Sequence, residues 1–134
     1  MEFLFNSKAP GDRQRLLDAF EAFARDNNLP PKVRAAADLA LEEHLTNILN
    51  YGFSDQTNHT IRFDFNEGAG EFVIEISDDG KEFDPTKFPA PDFKIPPEQR
   101  KIGGLGIHMI RQSMDAVEYH RINNRNVLKL TKRL

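Results

Sequence analysis

The chain has 134 residues, a mass of 15.3 kDa, 39% apolar residues and no cysteine, which is enough for one hydrophobic core and too little for two. The absence of cysteine excludes a disulfide framework and a thiolate metal site, and no apolar run approaches the roughly 18 residues that would span a bilayer, so the chain reads as a single cytoplasmic domain over 1–134. A net charge of −3 argues against a dedicated nucleic-acid binder, although the last third is locally basic, a bias that suits a phosphate-bearing ligand as well as RNA.

In chain order, Glu2 to Asn6 alternates apolar and polar residues and predicts a short edge strand. From Pro10 onward, Leu16, Leu17, Phe20, Phe23 and Ala24 recur at helical spacing, predicting an amphipathic helix that ends near Asn27 and Asn28, before Pro30 and Pro31. The double proline opens a second helix over 32–51, with Val33, Ala37, Ala40, Leu41, Leu45 and Ile48 on its apolar face and Gly52 ending it. Beside that stripe Glu43, Asn47 and Asn50 fall at i, i+4 and i+7, a polar row that fits either a solvated surface or the floor of a site. Glu42 lies about 100° round the helix and reads as surface.

Residues 60–65 and 71–78 alternate and, with the glycine-containing stretch 66–70 between them, predict a β-hairpin. Phe72, Ile74, Ile76 and Asp78 share one parity; if that parity is inward, Asp78 is a carboxylate that needs a partner. From Asp79 to Lys101 periodicity is lost and five of the eight prolines occur, which predicts a functional lid over about 80–101. The lid runs into Gly103, Gly104, Leu105 and Gly106, glycines that open an apolar helix and expose backbone N–H groups to an anion. Taken alone this is a weak phosphate signal, and neither GxxxxGK[ST] nor GxGxxG is present. Two further strands, around 117–122 and 126–131, are joined by a turn at Asn123 and Asn124. His44, His59, His108 and His120 lack metal-ligand spacing and read as core or surface residues.

The order of these parts is more specific than any one of them. Glu43-x-x-x-Asn47 on a helix, Asp78-x-Gly80 at a strand end, a lid, and Gly103-Gly-x-Gly106 opening a helix together resemble the GHKL (Bergerat-fold) ATP-binding superfamily. Within it, the runs LEEHLTNILNYGF, DDGKEFDP and GGLGIHMIRQSMD resemble the anti-sigma factor serine/threonine kinases of the SpoIIAB and RsbW kind. The resemblance implies an α/β (α+β) two-layer sandwich: a mixed, mostly antiparallel sheet with three helices on one face. It implies ATP and Mg2+, with Asn47 as the metal-holding carboxamide, Glu43 as the general base, Asp78 as the acceptor for the adenine amino group, and Gly80 close to the base. Gly103, Gly104, Leu105 and Gly106 then form the loop over the phosphates.

It further implies two protein partners, a STAS-type anti-anti-sigma protein phosphorylated on serine and a sigma factor held in sequestration, with no membrane or direct nucleic-acid contact; a homodimer is a family expectation. Two alternatives accompany it: a non-catalytic ATP-binding or partner-sequestering module, and an orphan histidine-kinase catalytic domain. Two positions depart from the family pattern. Glu82 stands where Asp-x-Gly-x-Gly has its last glycine, which predicts strain if the backbone there requires positive φ and repulsion of a bound triphosphate. Arg125-Asn126 replaces a Gly-Thr pair before the last strand, which puts in question any base contact from that turn.

Overall fold

The computed structural model describes residues 1–90, 92–96, 98 and 104–134. The alternating runs pair into one five-stranded sheet: β1 (Glu2–Asn6), β2 (Thr60–Gly68), β3 (Glu71–Asp78), β4 (Ala116–Ile122) and β5 (Arg125–Arg133), in the order β1-β2-β3-β5-β4. All the described pairings are antiparallel. The sheet is therefore antiparallel throughout its described pairings, and the parallel pairing that a mixed sheet implies is not among them, because β3 and β4 run the same way but are separated by β5.

One face of the sheet is apolar because the inward parity is apolar on every central strand. Ile61, Phe63 and Phe65 of β2, Phe72, Ile74 and Ile76 of β3, and Leu128 and Leu130 of β5 are all buried. Against them pack α1 (Asp12–Asp26), α2 (Pro31–Asn47) and α3 (Gly104–Ser113). Helix α1 buries Leu16, Phe20 and Ala24, one turn apart, and Phe20 meets the rings of Phe65 and Phe72 at 5.4 and 5.7 Å between centroids. Helix α2 buries Val33, Ala36, Ala37, Ala40, Leu41 and Leu45, and it lies alongside α3. The opposite face of the sheet carries Arg62, Asp64, Glu75 and Lys129, which are partly or fully exposed, as expected for an antiparallel sheet with one wet side.

The second helix is shorter than its periodicity predicts. Regular α-helix stops at Asn47, and Ile48–Gly52 forms a wide π-type turn. The extra residue in that turn rotates the side chains that follow, so Asn50 leaves the polar row and is exposed, while Tyr51 faces the site described below. Such turns within helices recur at functional sites.

The β2–β3 connection is tighter than the five-residue stretch that the glycines predict. Strand β2 continues to Gly68, which pairs with Glu71, and a two-residue turn places Ala69 at φ 54° and Gly70 at φ 79°. Two positive φ values are the type I′ geometry that matches the sheet twist; the β4–β5 turn does the same with Asn123 and Asn124 at φ 51° and 60°. Asparagine tolerates this region, whereas alanine meets a Cβ penalty of about 1 kcal/mol there. Ala69→Asn is therefore expected to raise stability by about 1 kcal/mol, read as a higher urea midpoint at unchanged slope.

Candidate functional site

A cavity of about 290 Å³ opens between α2, the ends of β3 and β5, and the segment that follows β3. Its lining includes His44, Asn47, Ile48 and Tyr51 from α2 and its π-type turn, Asp78 from β3, Lys81, Glu82, Phe83 and Phe88 from the 80–90 segment, and Tyr119, Asn126 and Leu128 from β4 and β5. Apolar walls with a few convergent polar groups are the composition of a small-molecule site.

Asp78 is the inner end of the buried parity of β3 and is 2% exposed. Its Oδ1 accepts hydrogen bonds from the Gly80 N–H at 2.9 Å and from Asn126 Nδ2 at 3.0 Å. Burial pushes its pKa up despite both donors. Both described bonds fall on one oxygen, so the carboxylate keeps acceptor capacity on the other.

Gly80 has a steric reason to be glycine. A Cβ there would lie 2.7 Å from the Gly52 carbonyl oxygen and 2.9 Å from Asp78 Oδ1, and that same Gly52 carbonyl accepts the Lys81 N–H at 2.9 Å. The end of β3 is thus seated directly on the end of the π-type turn. Behind it, the His59 ring stacks on Phe53 at 3.9 Å and bridges Asp55 at 2.7 Å and Asp79 at 2.9 Å. The two carboxylates raise the imidazole pKa, the Asp55 hydrogen bond most.

Asn47 is 7% exposed, and its Nδ2 is buried without a described hydrogen-bond partner. A buried carboxamide left open toward a cavity fits a ligand that supplies the missing contact. One turn earlier, Glu43 does not line the cavity. It is half-buried against α3, where a Cβ on Gly106 would come within 2.3 Å of its Oε2 and 3.1 Å of its Cδ. Gly106 is therefore the residue that lets α3 close on the Glu43 carboxylate. Gly104 begins α3 with Phe88 Cε1 3.2 Å from its Cβ position, and Leu105 is 44% exposed. The structure thus brings Asn47 and Asp78 to one cavity, with Gly80 seated beside Asp78 on the Gly52 carbonyl but not in the cavity lining. It sets Glu43 against Gly106 at the α2–α3 contact and Gly104 against Phe88; Gly103 lies outside the described residues.

The expected strain at Glu82 is absent: its φ is not positive, and the residue lines the cavity. The segment around it is held from outside, by Arg121 donating to the Gly80 carbonyl at 2.8 Å and by Asn126. Sequence reasoning registers Asn126 only as a departure from a pattern; no local signal marks a side chain whose partners at Asp78, Lys81 and Phe83 lie 43 to 48 residues away. It also passes over Lys81, Phe83 and Tyr119, which become visible as site residues only once the strands are paired.

His44, expected to be an ordinary core or surface histidine, is buried yet borders the cavity, and its Nδ1 has no described partner. Desolvation lowers its pKa from 6.5 to about 4, so it is neutral at pH 7. Because the folded pKa lies below the unfolded one, the associated stability is fully present above about pH 6.5 and is lost as pH falls toward 4. His44→Leu is expected to remove roughly 2–3 kcal/mol of the stability difference between about pH 7 and 4.5, measured by urea unfolding at the two values.

No helix among the described residues is long and apolar enough to cross a membrane. Comparison with known proteins agrees with the geometry. The chain is 28% identical over 100 residues to the serine/threonine-protein kinase BtrW of Bordetella bronchiseptica, covering 75% of this chain and 70% of that protein. Its fold resembles the histidine kinase AdeS of Acinetobacter baumannii with a TM-score of 0.54 at 14% identity, over 99% of this chain and 67% of that one. Residues 7–132 match the family described as the histidine kinase-like ATPase domain. With the sandwich, the Asp78 pocket and the α2–α3 contact in place, the chain belongs to that family of ATP-binding domains.

Proposed function

We propose that this chain is a regulatory serine/threonine protein kinase, which transfers the γ-phosphoryl group of ATP to a serine of a STAS-type anti-anti-sigma protein and sequesters a sigma factor when that antagonist is unavailable. The observation that carries the transfer reading is the placement of Glu43, one turn before the cavity-lining Asn47 and pressed against α3 at Gly106, outside the cavity wall. A carboxylate beside a ligand pocket, and not within it, is free to meet a second substrate. The similarity to a serine/threonine kinase in Bordetella supports the same reading.

Each residue then has one task. Asp78 offers an acceptor to a base bearing an N–H edge, and Gly80 keeps the neighbouring backbone close to that base. Asn47 would hold Mg2+ through its carboxamide oxygen. No cluster of three or more His, Asp or Glu able to hold a metal occurs among the described residues, so the cation would take its other ligands from phosphate and water, the usual arrangement for Mg2+ in such sites. Bound there, Mg-ATP supplies the phosphoryl group with its charge neutralised. Glu43 takes the proton of the acceptor serine hydroxyl, and the α3 start closes over the site through its glycines.

The test measures ATP binding with and without Mg2+, followed by transfer of labelled phosphate to a purified STAS-type protein. Phosphoserine on the acceptor supports the proposal. Phosphohistidine would point to a histidine-kinase role, and failure to bind ATP would remove both.

A further inference from the structure

The most completely bonded polar side chain around the cavity is Asn126, which none of the roles above uses. It is 6% exposed and stands opposite Asp78 in the β3–β5 register. Its Nδ2 donates to Asp78 Oδ1 at 3.0 Å and to the Lys81 carbonyl at 2.7 Å. Its Oδ1 accepts the Phe83 N–H at 3.2 Å and the Tyr119 hydroxyl at 2.5 Å. A carboxamide has two N–H donors and two acceptor lone pairs, and here all four are engaged. The orientation of the amide is dictated by its partners, since a backbone N–H can only donate and a backbone carbonyl only accept.

These bonds connect the two departures from the family pattern. Asn126 grips the backbone on both sides of Glu82, at Lys81 and Phe83, and so holds in shape a segment that lacks the expected glycine. The same amide occupies one oxygen of Asp78 and leaves the other free. We propose that Asn126 is a positioning residue for ligand selection: it presents the free oxygen of Asp78 to an N–H donor on a purine base and fixes the 81–83 wall of the cavity against that base. The proposal rests on the reading of the cavity as an ATP site. Tyr119, by occupying an Asn126 lone pair, keeps the amide from rotating.

The discriminating variant is Asn126→Asp, which is nearly isosteric. The aspartate still accepts from Phe83 and Tyr119, but when ionised it sets a second carboxylate against Asp78 and an acceptor against the Lys81 carbonyl. Two carboxylates sharing a site hold a proton between them more readily than either alone, and a protonated Asp side chain regains one donor. The other charged or titratable groups around Asp78 are Arg125 and Asp79, with His44, Lys81, Glu82 and Tyr119 on the same cavity. All of them are also present in the wild type, so a variant-to-wild-type ratio cancels their titration and that of ATP itself.

The experiment measures the Kd for ATP and the thermal midpoint of the ligand-free protein at several values between about pH 5.5 and 8, for the wild type and for Asn126→Asp. The expected result is a Kd ratio of about 10 or more at the alkaline end that falls several-fold at the acid end, with the variant's midpoint relative to the wild type rising as pH falls. Tyr119→Phe, which removes the hydroxyl that steadies the amide and also meets the Phe83 backbone, is expected to weaken ATP binding about threefold while changing the midpoint much less than Asn126→Asp does at alkaline pH. An Asn126→Asp protein that binds ATP like the wild type throughout, or equally poorly throughout, overturns the positioning role while leaving the ATP site intact. A wild type that does not bind ATP removes the ATP reading, and the proposal with it.

Discussion

Glu43→Gln is expected to lower the rate of phosphoryl transfer to a serine acceptor by roughly 10³-fold, the scale of a lost general base, while the Kd for Mg-ATP changes less than about threefold. The separation follows from geometry. Glu43 does not line the cavity, so a ligand there loses no contact when its charge is removed. Its carboxylate sits instead at the α2–α3 contact, where the missing Cβ of Gly106 leaves just enough room for it. Glutamine keeps that volume and removes only the ability to accept a proton, so the variant should keep the wild-type thermal midpoint. Binding follows from nucleotide titration and transfer from labelled phosphate on the acceptor. Equal transfer by both proteins would exclude Glu43 as the base; no transfer by either, with ATP bound, would identify an ATP-binding module that acts by sequestration.

How far the fold is legible depends on what local pattern can carry. Period-two and helical repeats report which face of an element is buried, and they foretell the apolar parity of β2 and β3 and the stripes of α1 and α2. They fail where geometry departs from the regular repeat. The π-type turn at Ile48–Gly52 inserts a residue that a helical wheel does not include, so the wheel puts Asn50 on a row that it leaves. The β2–β3 turn misleads for a related reason: two glycines within 66–70 suggest a loose connection, whereas the ladder runs on to Gly68 and the turn uses Ala69 in a region alanine seldom adopts.

The site is legible where one residue's type conflicts with its local setting. An asparagine inside a helix and an aspartate on an apolar parity both require a partner, and both line the cavity. His44 conflicts in the same way, since a histidine at a core position of α2 leaves an imidazole nitrogen without a described partner, and its type alone gives no reason to place it at a ligand. Asn126 is not legible, because its significance lies in four bonds to groups on three other segments, which only the sheet register assembles.

Asp78→Asn is expected to weaken ATP binding about 100-fold and at the same time to leave the protein as stable as before, or more so, at pH 7. The two effects have one cause. Asp78 is 2% exposed, and burial raises its pKa; an acid whose folded pKa lies above its unfolded one adds stability below the unfolded value and loses it as pH rises through the folded value. At neutral pH the buried charge therefore costs stability that the uncharged amide does not. In the variant, the carbonyl oxygen of the introduced amide can still accept from Gly80 and Asn126, which fixes the orientation of that amide. Its NH2 then occupies the place of the free carboxylate oxygen and presents a donor where the ligand also has a donor. Losing a hydrogen bond to a charged group costs about 1.5–3 kcal/mol, and a forced donor–donor contact places the loss at the upper end of that range. Titration calorimetry with ATP and thermal melts over about pH 4 to 7 check both halves. The midpoint advantage of the variant should shrink toward acid, where the wild-type carboxyl takes up its proton; a variant that melts lower at every pH would show that the Asp78 charge stabilises the fold and would break the link between its burial and its service to a ligand.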